Sequence, residues 1–315
     1  MNLFKRAIFF TDVHFGLKSN SRLHNQDCLN FVDFVIKTGK EQNCETCVFL
    51  GDWHNNRASL QIGTLNYSVQ AIDKLSAAFD QIIFIPGNHD EHYRDTREMN
   101  SVVWAKKYDN VRIFDEITTV DDVCITPWLV GDEHKQIKKI EAKYMFGHFE
   151  LPSFYMNAMV QMPDVGDLRR DDLKCETVFT GHFHKRQTNK NITYIGNAFP
   201  HNYADVGDDD RGCMILDWGK DPVYVAWPDA PKYRKFLLSE ILEDTDRLLL
   251  SNMYCRVEID VDISYEEATF IKEQFIPQYN LRELSLIQRT DIEEHSQTFD
   301  GEVNFESVDS IVTSH

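Results

Sequence analysis

Seven residues of metal-ligand type follow short apolar runs in this chain. Ala7-Ile8-Phe9-Phe10 leads into Thr11-Asp12-Val13-His14, Val48-Phe49-Leu50 into Gly51-Asp52, and Ile82-Ile83-Phe84-Ile85 into Pro86-Gly87-Asn88-His89-Asp90. Further on, Tyr144-Met145-Phe146 leads into Gly147-His148-Phe149-Glu150, and Val178-Phe179-Thr180 into Gly181-His182-Phe183-His184. Asp12, His14, Asp52, Asn88, His148, His182 and His184 supply carboxylate, amide and imidazole donors, enough for two cations that share Asp52, whose carboxylate has two oxygens. Asp12 and His14 stand two apart, so on an extended strand their side chains point to one side. Two divalent cations, less two aspartates and one hydroxide, leave a net charge of about +1, which suits a phosphate anion; ions about 3.5–4 Å apart suit in-line hydrolysis at phosphorus. A mixed N/O set with an amide favours Mn²⁺ or Fe²⁺ over structural Zn²⁺.

Any one of these motifs alone reads equally as a core histidine or a turn. Their recurrence, in order and each after a run of strand length, is what points to a metal centre at the carboxyl edge of an α/β sheet. Gly51, Gly87, Gly147 and Gly181 precede ligands, where positive φ and sharp turns are expected. Helical stripes separate the first strands: Leu29, Val32, Phe34, Val35 and Ile36, then Leu65, Val69, Ile72, Leu75 and Phe79. Up to about residue 115 this alternation predicts a mostly parallel sheet with crossover helices. The later strands are closer together and predict a second, more antiparallel half. The fold class is therefore α/β: a two-sheet sandwich flanked by helices over 1–228.

Pro228 and Pro231 bracket a linker to a small α/β capping domain over 229–290. Its expected elements are a strand at Phe236-Leu237-Leu238, an alternating strand from Arg256 to Val261, a helix near Ser264 to Gln274 and a strand from Arg282 to Gln288. An acidic, flexible tail over 291–315 ends in a short apolar stripe of Phe305, Val308, Ile311 and Val312.

Hydrophobic and charged fractions of 42% and 27% across 315 residues are those of a globular protein. No apolar stretch reaches the roughly 20 residues of a membrane span, and the first apolar run breaks at Thr11-Asp12, too early for a signal peptide. Seven scattered cysteines predict reduced thiols in a cytoplasmic protein, and Cys44-Glu45-Thr46-Cys47 reads as coincidental redox spacing. The net charge of −18 argues, taken alone, against a nucleic-acid partner. Seven of the acids lie between Asp291 and His315, without Lys or Arg, so the body carries −11. Lys18, Arg22, Arg57, Arg94, Arg97, Lys185, Arg186 and Lys190 follow the motifs. They are either solvated surface cations or a basic rim that holds a DNA backbone.

In Asp12-x-His14, Gly51-Asp52, Gly87-Asn88-His89-Asp90, Gly147-His148 and Gly181-His182-x-His184 the chain resembles the calcineurin-like metallophosphoesterases. With Gly-Asp-Trp-His, Thr126-Pro127-Trp128 and Tyr194-Ile195-Gly196 it is similar, within them, to the SbcD-type recombination nucleases, including those of T-even-like phages. The resemblance spans residues 1 to about 225, and the appendage more loosely. It implies one metal on Asp12, His14, Asp52 and His184, and another on Asp52, Asn88, His148 and His182. His89 is then the catalytic histidine that serves the leaving 3′ oxygen, oriented by Asp90. The implied cofactors are two Mn²⁺, with Fe²⁺ or Mg²⁺ as substitutes. The implied activity is a 3′→5′ DNA exonuclease with single-strand and hairpin endonuclease cleavage, in DNA repair and recombination. The implied partners are DNA, a second copy in a homodimer and an SbcC-type ABC ATPase; the implied location is the cytoplasm, that of the bacterial host for a phage protein.

The chain departs from the family at three places. Asn55 stands where cellular members often have histidine, with His54 one place earlier. Asn197 replaces the usual Ser or Thr after Gly196. Relatives continue past the position of His315 into a helix pair that grips the ATPase coiled coil. A small-substrate phosphodiesterase or phosphatase would share the metal core, but protein phosphatases usually carry Gly-Asp-x-x-Asp-Arg-Gly and Gly-Asn-His-Glu segments that are not found here. A non-catalytic scaffold is disfavoured because every ligand position holds a competent residue.

Overall fold

A computed structural model describes residues 2–157 and 160–288. The expected acidic tail and its apolar stripe lie outside the described residues. The chain divides into two compact units, the first ending at Pro231 and the second starting at Lys232.

Two six-stranded sheets form the first unit. The strands are β1 (Arg6–Phe10), β2 (Thr46–Phe49), β3 (Gln81–Phe84), β4 (Val111–Ile113), β5 (Thr118–Val120), β6 (Val123–Thr126), β7 (Tyr144–His148), β8 (Thr177–Gly181), β9 (Gln187–Asn189), β10 (Ile192–Tyr194), β11 (Gly212–Asp217) and β12 (Val223–Ala226). The first sheet has the order β12-β11-β1-β2-β3-β4, with β1 to β4 parallel, β11 antiparallel to β1, and β12 antiparallel to β11. The second runs β5-β6-β7-β8-β10-β9.

The second sheet corrects the expectation of a more antiparallel half. Its four central strands β6, β7, β8 and β10 are parallel, and only the edge strands β5 and β9 run the other way. The late antiparallel pair β11 and β12 returns to the first sheet instead. Close spacing along the chain favours antiparallel pairing, yet β8 and β10 pair in parallel, and the short β9 between them in sequence lies at the sheet edge beyond β10.

Alternation along the strands divides the core into layers. Ala7 and Phe9 face the other sheet, where they join Val48, Ile83, Phe146 and Phe179 in the sandwich interior. Ile8 and Phe10 face the opposite way, against Phe31, Val35 and Leu75 of the helices Arg22–Glu41 and Ile62–Ala78. Both faces of β1 to β3 are thus buried, which is why these strands read as unbroken apolar runs. The outer face of the second sheet is covered by the short helix His134–Ile137 and by loop residues such as Leu151, Phe154 and Leu168.

The second unit is a three-stranded parallel sheet of β13 (Lys232–Leu237), β14 (Met253–Ile259) and β15 (Glu283–Gln288). The crossover helix Tyr265–Gln278 opens on a reciprocal cap: Ser264 Oγ accepts from Glu267 N at 3.2 Å, and Glu267 Oε2 accepts from Ser264 N at 2.8 Å. All seven cysteines are unpaired and buried, Cys44 and Cys47 included. Among the described residues, no helix is long and apolar enough to cross a membrane.

Phe9 has no exposed surface and meets Phe146 edge-on at 4.9 Å. Phe9→Ala is expected to destabilise the first unit by about 3–5 kcal/mol, read as a lower urea midpoint. A loss under about 1 kcal/mol would show that the sandwich interior repacks freely.

Candidate metal centre

Register brings the expected donors to one edge. Phe10 pairs with Phe49, and Phe49 with Phe84, so β1, β2 and β3 end level and in parallel. Asp12, Asp52 and Asn88 follow within a few residues. In the second sheet His148 pairs with Gly181, which delivers His148 and His182 at the corresponding edge.

The backbone does not do this by strand alternation. Asp12, His14, Asp52 and His182 have φ of 51°, 53°, 61° and 90°. Left-handed backbone costs a non-glycine residue roughly 1–2 kcal/mol, and such strain concentrates at functional sites. Hydrogen bonds hold it here: Asp12 N donates to Gly51 O, and Val13 N and His14 N both donate to Asp52 O. Asp12 and His14 therefore converge through tight turns rather than as neighbours on an extended strand. Of the four glycines expected at positive φ, only Gly51 has it, at 104°. Gly87 is needed for close approach instead, since a Cβ there would lie 2.2 Å from Asp52 Oδ1.

Asp52 occupies the middle. Its Oδ2 lies 3.7 Å from His14 Nε2 and 3.3 Å from His148 Nε2, while its Oδ1 accepts from His89 N at 2.9 Å. One Asp52 oxygen therefore faces both imidazole groups, as a carboxylate shared between two cations would require. Asn88 Oδ1 lies 3.1 Å from His148 Nε2 and 3.0 Å from His182 Nδ1. His148 Nδ1 donates to the Leu50 carbonyl at 2.7 Å, which fixes the tautomer and leaves Nε2 as the ligand atom. Asp12 Oδ2 accepts from Thr11 Oγ1 and His182 N, and its Oδ1 lies 3.8 Å from His14 Nε2. Ligand atoms of Asp52, His148 and His182 lie within 4.8 Å of one another, as do those of His14, Asp52 and His89, and of His14, His184 and His201.

These groups fit divalent cations. Asp12 Oδ1 and both ring nitrogens of His14 are buried without a hydrogen-bond partner, a costly arrangement unless something binds them. Burial drives His14 and His182 well below the usual imidazole range, so both stand neutral with lone pairs available. Burial opposes charge on Asp52 too, but neighbouring imidazoles, His148 first and then His89, hold it well below the usual carboxylate range. For His148 burial is likewise outweighed, chiefly by Asp52, and the ring is pushed up to about 9. The pocket thus attracts positive charge, which divalent ions would supply.

The resemblance implied that Asp90 orients His89, and the structure differs. Asp90 Oδ1 accepts from Trp53 N and His54 N, and Oδ2 from Asp52 N and Gly87 N, at 2.9–3.0 Å. Asp90 thus staples the loop after β2 to the loop after β3. Burial and the neighbouring Asp52 push it up to about 6 despite these bonds. The His89 ring is oriented by the Asn55 carbonyl, which accepts from Nδ1 at 2.7 Å and leaves Nε2 free to face the centre.

His54 is fully buried between Ser101 and Ser68, and burial lowers it to about 3, so it is a core residue. Glu150 lines a cavity of about 250 Å³ with His148 and Trp128, whose indole lies 5.1 Å from the His182 ring. The expected basic rim is thinner than its sequence: Arg97 pairs with Glu133, Arg186 with Asp210 and Lys190 with Asp171. Arg57 is half-buried, and burial together with Arg94 lowers its pKa. Sequence motifs missed His201, which stands in a loop with no recurring spacing. The available sign was topological: β10 runs parallel to β8, so the chain beyond it leaves at the ligand edge.

The chain is similar to several known proteins. Exonuclease subunit 1 of Enterobacteria phage T4 is 29% identical over 216 residues, covering 65% of this chain. The chain spans 62% of that protein's length. Among solved structures, Pseudomonas putida nuclease MPE gives a TM-score of 0.32 at 18% identity, covering 56% of this chain and 61% of that one. Yfce, a phosphoesterase from E. coli, gives 0.37 at 14% identity, covering 71% and 94%. Residues 5–186 match the calcineurin-like phosphoesterase family, a span that holds every strand-end motif from Asp12 to His184, and the chain belongs to that family.

Proposed function

We propose that the chain is a two-metal DNA nuclease subunit, a 3′→5′ exonuclease that also cleaves single strands and hairpins. The observation that carries the chemistry is Asp52 Oδ2 standing between two imidazole groups at 3.7 and 3.3 Å. The DNA substrate is supported by the likeness to exonuclease subunit 1. Asp12, His14, Asp52 and His184 would hold one cation, and Asp52, Asn88, His148 and His182 the other, with Mn²⁺ as the preferred metal. When bound, two such ions supply Lewis acidity at phosphorus and a water-derived nucleophile at neutral pH.

The chain's own residues do the rest. His89 Nδ1 stays protonated against the Asn55 carbonyl, so Nε2 is the atom that carries a proton to the departing oxygen. Asp90 is a positioning residue that fixes Asp52, Asn88 and His89 through their loops. A homodimer with an SbcC-type ATPase is the expected assembly, working in the cytoplasm of a bacterial host.

A small-substrate phosphodiesterase is the second reading, favoured by the number of rim cations already held in ion pairs. End-labelled linear duplex DNA incubated with Mn²⁺, with Mg²⁺ or with chelator separates the two when run beside a bis-aryl phosphodiester. Mn²⁺-dependent release of nucleotides from 3′ ends is expected. Cleavage of the small diester with DNA left intact, even in the presence of the ATPase, would favour the second reading.

His89→Ser should retain both metals by elemental analysis yet lose about 10²–10⁴-fold in kcat; loss of metal would make His89 a ligand. DNA binding by this subunit alone should be weak and fall steeply between 50 and 200 mM salt, as about one counterion is released per phosphate neutralised. Tight binding that persists in high salt would refute a backbone-contact mode.

A further inference from the structure

We infer that His201 is a ligand to the cation beside His14 and His184, an inference that rests on the two-metal reading above. Ligand nitrogens of the three histidines lie within 4.8 Å of one another. Two donors about 2.2 Å from one ion can be at most about 4.4 Å apart, so only a small contraction is required. The ring centres form a nearly equilateral triangle, with sides of 5.4 Å for His14–His184, 5.4 Å for His14–His201 and 5.3 Å for His184–His201. The point equidistant from the three is about 3.1 Å from each centre; an imidazole bound at about 2.1 Å places its ring centre about 3.2 Å from the ion. The triangle has the size of a three-imidazole site.

The loop that carries His201 is built to hold it there. His201 is 1% exposed, and its N–H donates to Asp205 Oδ2 at 2.9 Å. Arg211, fully buried, donates to both oxygens of Asp208 at 2.9 and 2.7 Å, and to Asn197 Oδ1 at 2.6 Å. Asn197 N in turn donates to the His184 carbonyl at 3.1 Å, so the base of this loop is bonded to the other ligand's own backbone. Phe199 packs against the His201 ring at 5.0 Å. His24 also approaches that ring, but its Nε2 donates to the His14 carbonyl at 3.0 Å and so supports His14 from behind.

The two metal positions then differ. One would have three imidazoles with Asp12 and Asp52; the other would have two imidazoles, the Asn88 amide and a share of Asp52. The richer imidazole set favours Mn²⁺, Fe²⁺ or Co²⁺ over Mg²⁺, so Mg²⁺ should fill the His201 side last.

Crystals of the full chain grown with Mn²⁺, measured at the manganese edge, test this directly. The expected result is one anomalous peak about 2.0–2.4 Å from a ring nitrogen of His201, and a second among Asn88, His148 and His182. A peak between His14 and His184 but more than about 3 Å from His201 would overturn this inference and leave the two-metal reading standing. No peak at either position would overturn both. In solution, Mn²⁺ calorimetry of H201Q and H201A should show one of two binding events weakened at least tenfold and the other unchanged. Two unchanged events would overturn the assignment. Should H201A fail to fold, H201Q and the anomalous map still decide.

Discussion

Two carboxylates, Asp12 and Asp52, are buried on either side of one His14 nitrogen, at 3.8 and 3.7 Å, and the rest of the centre follows from that juxtaposition. Burial disfavours charge on both, and each raises the other's cost of ionising. Proteins accept such an arrangement where a cation or a fixed donor answers it. Part of the answer is internal: the His148 ring leans on Asp52, and His182 N–H and Thr11 Oγ–H donate to Asp12 Oδ2. The remaining Asp12 oxygen and the His14 nitrogens have no such partner, which leaves divalent ions as the natural complement. The left-handed backbone at four donor residues, the packed glycines and the Asp90 staple all serve to keep these groups close together.

The sequence made the donors legible because parallel strands end their apolar runs where ligands begin, and each run could be recognised separately. The layering was legible for the same reason: β1 to β3 are apolar on both faces. Three matters were not legible. Which strand pairs with which in the later chain depends on tertiary register, and β11 and β12 join the first sheet although they follow the second. The role of Asp90 lies in four backbone N–H bonds, which no side-chain motif encodes. His201 reaches the centre through a loop whose course is set by Arg211, Asp208 and Asn197, residues brought together only by folding.

Substrate choice is governed by charge further out. Arg97, Arg186 and Lys190 were plausible phosphate contacts by position, yet each is held by a carboxylate, and Arg97 is tied also to the Asp115 and Trp128 carbonyls. Arg97 braces its loop in this way, whereas the carboxylates that pair with Arg186 and Lys190 are exposed.

The measurement that bears most directly on the centre is electron paramagnetic resonance of the Mn²⁺-loaded chain, with metal content determined on the same sample. Two Mn²⁺ per chain, exchange-coupled as expected for ions about 3.5–4 Å apart, and loss of that coupling in Asp52→Ala, is the result this account predicts. A single ion, or two ions with uncoupled six-line spectra, would contradict a centre shared through Asp52.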